Sequence, residues 1–208
     1  KRCEHQLPKG TITSAWVADS TALGITGDIQ IVVDVAAYKW ANPYFQQILV
    51  NKDDGSSNRE WTAVLTTDGK IIFGWWNSGG SFLSATSSAH GFVDGTREKI
   101  RITLDVDNGA SGKTVTFDRW NGASWSTFST VTTAGTTSVR NQAANVAIGG
   151  SSDMSAVATV GGYGCIGRYY RLTVNNSAGS TVLDYDFTAA SVDAYVLADA
   201  YSNTMRLL

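Results

Sequence analysis

Hydrophobic and polar residues alternate with a period of two along much of the chain. From Asp28 to Ala36, Ile29, Ile31, Val33 and Val35 share one face while Asp28, Gln30 and Asp34 share the other, the pattern of a strand buried on one side. Lys99 to Asp107 repeats it, with Ile100, Ile102, Leu104 and Val106 set against Lys99, Arg101, Thr103, Asp105 and Asp107. The outer face of that strand is therefore wet. Further strands are predicted at Glu60 to Thr66, Lys70 to Trp76, Lys113 to Trp120, Ser124 to Thr130, Val146 to Gly149, Arg168 to Val174 and Thr181 to Phe187, with two more at Thr13 to Ala18 and Phe45 to Val50. Asp68-Gly69 and Asn121-Gly122 fall between apolar runs and supply the positive φ of tight hairpins. Ser78 to Gly95 and Ala134 to Gln142 read as loops or irregular edge strands. Ala189 to Ala200 is the one candidate helix, with another strand as its alternative.

Roughly eleven or twelve short strands joined by hairpins, each with one apolar face, predict an all-β, two-sheet antiparallel sandwich, with a jelly roll as the preferred topology. No internal repeat of a propeller blade's length stands out. Residues 1–10 read as an N-terminal arm or truncated linker and residues 11–208 as a single jelly-roll domain, because only Pro8 and Pro43 occur and no charged or Pro-rich linker divides the chain.

Composition agrees. Charged residues make up 16% of the 208 positions, against about 25% in an average soluble domain. The shortage falls on the helix formers Lys and Glu. With 7 Trp, 8 Tyr and 7 Phe the chain is too aromatic for disorder. A net charge of −2 with scattered Lys and Arg argues against nucleic acid as a partner. No long apolar run predicts a membrane span. The start at Lys1 rather than Met suggests a processed or truncated N-terminus. Cys3 and Cys165 allow one bridge from the arm to the body; two free thiols are the favoured reading.

The order of the motifs resembles the laminin-G-like, or concanavalin A-like, jelly roll, particularly the version found in bacteriophage virion proteins. The matching features are Ser20 to Ile29 entering a strand, Leu49-Val50-Asn51-Lys52, Trp61 followed by Asp68-Gly69-Lys70-Ile71-Ile72-Phe73, and Ile102 to Ala110. Thr114-Val115-Thr116-Phe117, the Asn121-Gly122 turn leading to Trp125, Ile148-Gly149-Gly150, Gly167-Arg168-Tyr169-Tyr170 and Asp186-Phe187-Thr188 complete the series. The resemblance covers about residues 11–190. Asn121 stands where the family more often has Asp, and Gly74-Trp75-Trp76-Asn77 replaces its usual Trp-Ser. The resemblance implies a virion setting, assembly with other virion proteins and a homo-oligomer.

Catalytic chemistry finds little support. Jelly-roll glucanases use a Glu-x-Asp-x-x-Glu pair of carboxyls, but the glutamates here are Glu4, Glu60 and Glu98, none with an acidic partner at that alternation. Asp105 with Asp107, and Asp184 with Asp186, share strand faces, at polar positions that solvation alone explains. No Gly-x-Ser-x-Gly elbow is present, and His5 and His90 are too few and too dispersed for a triad or a zinc site. Gly162 to Gly167 spells Gly-x-Gly-x-x-Gly, yet a strand follows it where a dinucleotide site needs a helix. Laminin-G-like sandwiches often take calcium on loop oxygens, and Asp53, Asp54, Asp107, Asn108 and Asp153 are the candidates here. Asp107-Asn108-Gly109 lacks the later glutamate of a calcium loop, so a plain turn is favoured and no cofactor is expected.

The aromatics carry the binding expectation. In Lys70 to Trp76, Ile71, Phe73 and Trp75 read as core and Trp76 points outward. Tyr38, Trp40 and Tyr44 form a second cluster in a loop, and Trp120 a third on the Thr114, Thr116, Asp118 face. Each has burial beneath a loop as its plain alternative. The expected function is a non-enzymatic virion module, in a tail, fibre or capsid decoration, working through protein contacts and host-surface glycans. A secreted carbohydrate-binding module or lectin is the alternative, and a glycoside hydrolase or lyase the weakest reading.

Overall fold

Alternation becomes pairing in the computed structural model, which describes residues 15–149, 165, 167–189, 196–198 and 204–207. Fourteen strands occur among the described residues. They are β1 (Ala15–Val17), β2 (Ile29–Ala37), β3 (Gln47–Asp53), β4 (Arg59–Leu65), β5 (Ile71–Trp76), β6 (Phe82–Thr86) and β7 (Arg97–Asp105). β8 (Gly112–Trp120), β9 (Trp125–Ala134), β10 (Val146–Ile148), β11 (Gly167–Asn175), β12 (Thr181–Asp186), β13 (Val196–Ala198) and β14 (Thr204–Leu207) follow. One sheet has the order β13-β14-β1-β10-β3-β4-β5-β6 and the other β12-β11-β2-β7-β8-β9, all antiparallel. The architecture is the two-sheet jelly-roll sandwich.

The apolar faces of the two sheets meet. Ile29, Ile31, Val33 and Val35 of β2 and Ile100, Ile102 and Leu104 of β7 are buried. So are Ile71, Phe73 and Trp75 of β5, as their spacing predicts, with the Phe73 and Trp75 rings stacked 5.9 Å apart. Burying each such side chain contributes roughly 1.5–3 kcal/mol. Both hairpin turns place glycine at positive φ, Gly69 at 67° and Gly122 at 100°. In the second, the Asn121 side-chain oxygen accepts the Ala123 and Ser124 N–H groups at 2.9 and 2.8 Å.

Ser78 to Gly95, read as loops or irregular edge strands, contains an edge strand, β6. Within Ala189 to Ala200 the described residues 196–198 form strand β13, the alternative to a helix there, and it pairs with a β14 that no periodicity announced. These strands are three and four residues long, too short for an alternation to register. The arm at residues 1–10, Cys3 and most of the Gly162 to Gly167 motif lie outside the described residues. Gly167 opens strand β11, as expected, and Cys165 is a buried thiol whose pKa burial pushes up to about 12.

Candidate functional site

Register across the six-stranded sheet builds a row of side chains on its outer face. Asp34 of β2 lies opposite Lys99 of β7, and Ile100 opposite Arg119 brings Lys99 beside Trp120 of β8. Trp120 in turn lies opposite Trp125 of β9. The two indoles meet edge to face at 5.3 Å, both half-buried. Lys99 Nζ stands 5.3 Å from the Trp120 ring and 5.5 Å from the Trp125 ring, and the Arg101 guanidinium 4.6 Å from Trp125. Cations over indole faces are attracted by the ring quadrupole.

The arginines on this face hold carboxylates. Arg97 grips Asp34 through two bonds of 2.7 Å, its guanidinium 3.9 Å from the Tyr170 ring. Arg101 donates to Asp118 at 2.8 Å, and the other Asp118 oxygen accepts the Thr127 hydroxyl at 2.6 Å. Arg171 and Asp184 pair at 2.7 and 2.5 Å, which holds the Asp184 carboxyl below its usual range.

At the end of the sheet where β8 turns into β9, a hollow of about 570 Å³ opens beside Trp120. Arg97, Glu98, Arg119, Asn121 and Ser126 give it hydrogen-bonding walls, with His90 and Phe128 completing the lining. Glu98 is buried and accepts two bonds from Arg119, at 2.7 and 2.8 Å. His90 is stacked on Phe92 with ring centres 4.2 Å apart, and its Nδ1 accepts the Phe92 N–H at 3.0 Å. Burial lowers the His90 pKa to about 4, the Arg119 charge adds to this, and the Trp40 carbonyl opposes it. The ring is therefore neutral at pH 7, with its proton on Nε2. Aromatic surface beside a few fixed polar groups is the chemistry of small-molecule recognition.

Of the aromatic residues singled out in the sequence, Trp120 is at this hollow. Trp125 was missed as its partner, although its place just after the Asn121-Gly122 turn makes it the cross-strand neighbour. Trp40 is corrected: it is 0% exposed, packs edge-on against His90 and Phe92, and donates its indole N–H to the Thr96 carbonyl at 2.9 Å. Its loop folds back over the end of the sandwich, pinned by Asp94, which accepts the Trp40 and Ala41 N–H groups. Tyr38 and Tyr44 remain exposed, at 64% and 90%, around the Lys39–Asp94 pair at 2.8 Å. Trp76 lies on the other sheet, half-buried against Phe82 at 4.7 Å and beneath Arg59 at 5.5 Å.

The described calcium candidates sit in turns, where their side-chain oxygens accept backbone N–H groups. Asp107 and Asn108 oxygens accept the N–H groups of Gly109 and Ala110, as turn residues do. Asp53 and Asp54 do the same for Gly55 and Ser56, and Asp153 lies outside the described residues. Among the described residues no three acidic, His or Cys side chains group as a metal site. Of the two aspartate pairs, Asp105 accepts the Asp107 N–H at 3.1 Å and Asp184 is held by Arg171 at 2.7 Å.

No family model and no curated protein matches the sequence. Solved structures do. The Ruminococcus gnavus IT-sialidase CBM40, bound to α2,3-sialyllactose, is 16% identical with a TM-score of 0.52, over 79% of this chain and 86% of that one. A Bacteroides ovatus protein provisionally described as carbohydrate-binding reaches a TM-score of 0.59 at 9% identity, over 95% of this chain and 58% of that one. The LG4-5 domains of the mouse laminin α1 chain reach 0.54 at 13% identity, over 91% of this chain and 46% of that one. These likenesses show the shared jelly-roll fold, and the chain spans about half the length of the last two.

Proposed function

We propose that this chain is a non-catalytic carbohydrate-binding module that works outside the cell, with its site at the Trp120 hollow. The observation that carries the reading is the half-buried Trp120–Trp125 pair beside a hollow walled by Arg119, Asn121 and Ser126. Indole faces pack on the C–H faces of sugar rings, while amide, hydroxyl and guanidinium groups bond to their hydroxyls. The carbohydrate-binding structures of the same fold support this reading over a virion scaffold. Glycan-array binding by the chain tests it. Trp120→Ala should weaken binding at least tenfold, while Trp76→Ala and Tyr44→Ala, elsewhere on the surface, leave it unchanged. A chain that binds no glycan sinks the reading.

A second reading, contact with protein neighbours in a virion or homo-oligomer, draws on the exposed Tyr38, Tyr44 and Val93 at the loop end. Light scattering tests the homo-oligomer: an assembly that dissociates on Tyr44→Ala favours it, and a monomer counts against it.

A further inference from the structure

Among the described residues each sheet ends in two edge strands, and an exposed edge offers unpaired N–H and C=O groups to another chain unless short length, charge or proline guards it. β13 has three residues and β6 five, and β12 carries Asp184 and Asp186. β9 is the longest of the four and bears no such guard: its ten residues, Trp125–Ala134, are all uncharged and none is proline. It pairs with β8 alone, and among the described residues no other hydrogen bond reaches its backbone between Trp125 and Thr133. Lys113 closes the far end by donating to the Ala134 and Gly135 carbonyls, each at 3.0 Å, and a bulge at Phe128 bounds the near end. Between them Thr130, Thr132 and Thr133 are exposed.

The open stretch is self-complementary. Ser129-Thr130-Val131-Thr132-Thr133 sets hydroxyl residues symmetrically about a valine. On its occupied side, Thr130-Val131-Thr132 already pairs antiparallel with another Thr-Val-Thr, Thr114-Val115-Thr116 of β8, with Val131 opposite Val115 and the Thr114 and Thr132 hydroxyls 3.1 Å apart. A second copy of β9 brings the same triplet to the open side. We propose that two copies of the chain join through β9, antiparallel about Val131, so that the six-stranded sheet continues from one copy into the other. Thr130 of each copy then meets Thr132 of the other and Ser129 meets Thr133, cross-strand pairs of the favourable hydroxyl kind with no like charges opposed. Such a joint is isologous, one strand serving as both surfaces of a two-fold interface. It leaves the outer faces of both sheets on the same side, so the two Trp120–Trp125 pairs face one way. The assembly does not depend on what the hollow binds.

Sedimentation of the whole chain with its thiols reduced tests this. The chain should sediment at twice the monomer mass. A double variant, Thr130→Lys with Thr132→Lys, sets lysine against lysine across the joint and should halve that mass, as should Thr130→Glu with Thr132→Glu. Mixing the two variants should restore the dimer, because each lysine then meets a glutamate. In the unmodified chain, amide exchange over residues 129–133 should slow as concentration rises while exchange over residues 38–44 does not, a readout that needs no variant to fold. A chain that stays monomeric up to millimolar concentration overturns the proposal. So does a dimer that survives both double variants, a pair of variants that dissociate but do not recombine, or an amide exchange over residues 129–133 that ignores concentration.

Discussion

The ammonium of Lys52 meets the carboxylate of Glu60 with neither side chain exposed to solvent. Asp19 adds a second carboxylate at 2.9 Å, the Gln142 carbonyl accepts from Lys52 at 2.9 Å, and the Gln142 N–H donates to Glu60 at 2.8 Å. This cluster ties β3 and β4 to the segment between β9 and β10. Removing one partner of such a pair leaves the other charge buried, at a cost of about 3–5 kcal/mol. Lys52→Met should lower stability by that order in urea unfolding. Adding Glu60→Leu should recover part of the loss, because the orphaned carboxylate goes too.

Two buried groups give pH dependences of opposite sign. Burial pushes the Glu60 carboxyl up to about 7 against the pull of Lys52. Its folded form therefore holds a proton that the unfolded chain has released, so its contribution is full below about 4.5 and is lost as pH rises through about 7. His90 is the reverse: with a folded pKa near 4 against 6.5 unfolded, its contribution is full above 6.5 and is lost as pH falls toward 4. Melting temperatures across pH 4 to 8 should show Glu60→Gln removing the first slope and His90→Phe the second.

Trp40→Ala should behave as a core truncation, costing about 3–5 kcal/mol. Its ring is fully buried against His90 and Phe92. Tyr44→Ala, nearby at 90% exposure, should shift stability by less than about 0.5 kcal/mol. Equal effects in thermal denaturation would contradict the placement of this loop.

Gly167 touches backbone. A Cβ there would sit 2.6 Å from the Ala36 carbonyl oxygen and 3.0 Å from the Ala37 Cα, where β11 pairs with β2. Gly167→Ala should destabilise by about 1–3 kcal/mol as the strands separate locally. Gly55→Ala offers the contrast: it meets no atom, and its cost is that of a φ of +75° alone.

How much was legible follows element length and side-chain direction. β2 and β7, nine residues each, carry enough alternation to declare both their existence and their faces. Lys99 and Arg101 could thus be placed on a wet face from spacing alone. That Lys99 would find indoles there, and no carboxylate, depends on which strands neighbour β7. Alternation within a strand says nothing of that.

Period-two patterning and turn glycines determined by themselves that the chain is an all-β sandwich, because a pleated strand can bury only alternate side chains. The three glutamates, Glu4, Glu60 and Glu98, also leave the chain without the Glu-x-Asp-x-x-Glu motif of jelly-roll glucanases. The tertiary structure alone decided which aromatics face solvent and which charges are compensated. Trp40 lies in a loop without period, and its burial comes from residues some fifty positions away. Lys52 and Glu60 sit at positions whose spacing marks no special role, and only the tertiary structure buries them and brings Asp19 and the Gln142 backbone onto them. The site at Trp120 is likewise a product of register, joining β7, β8 and β9 into a row that no single strand encodes.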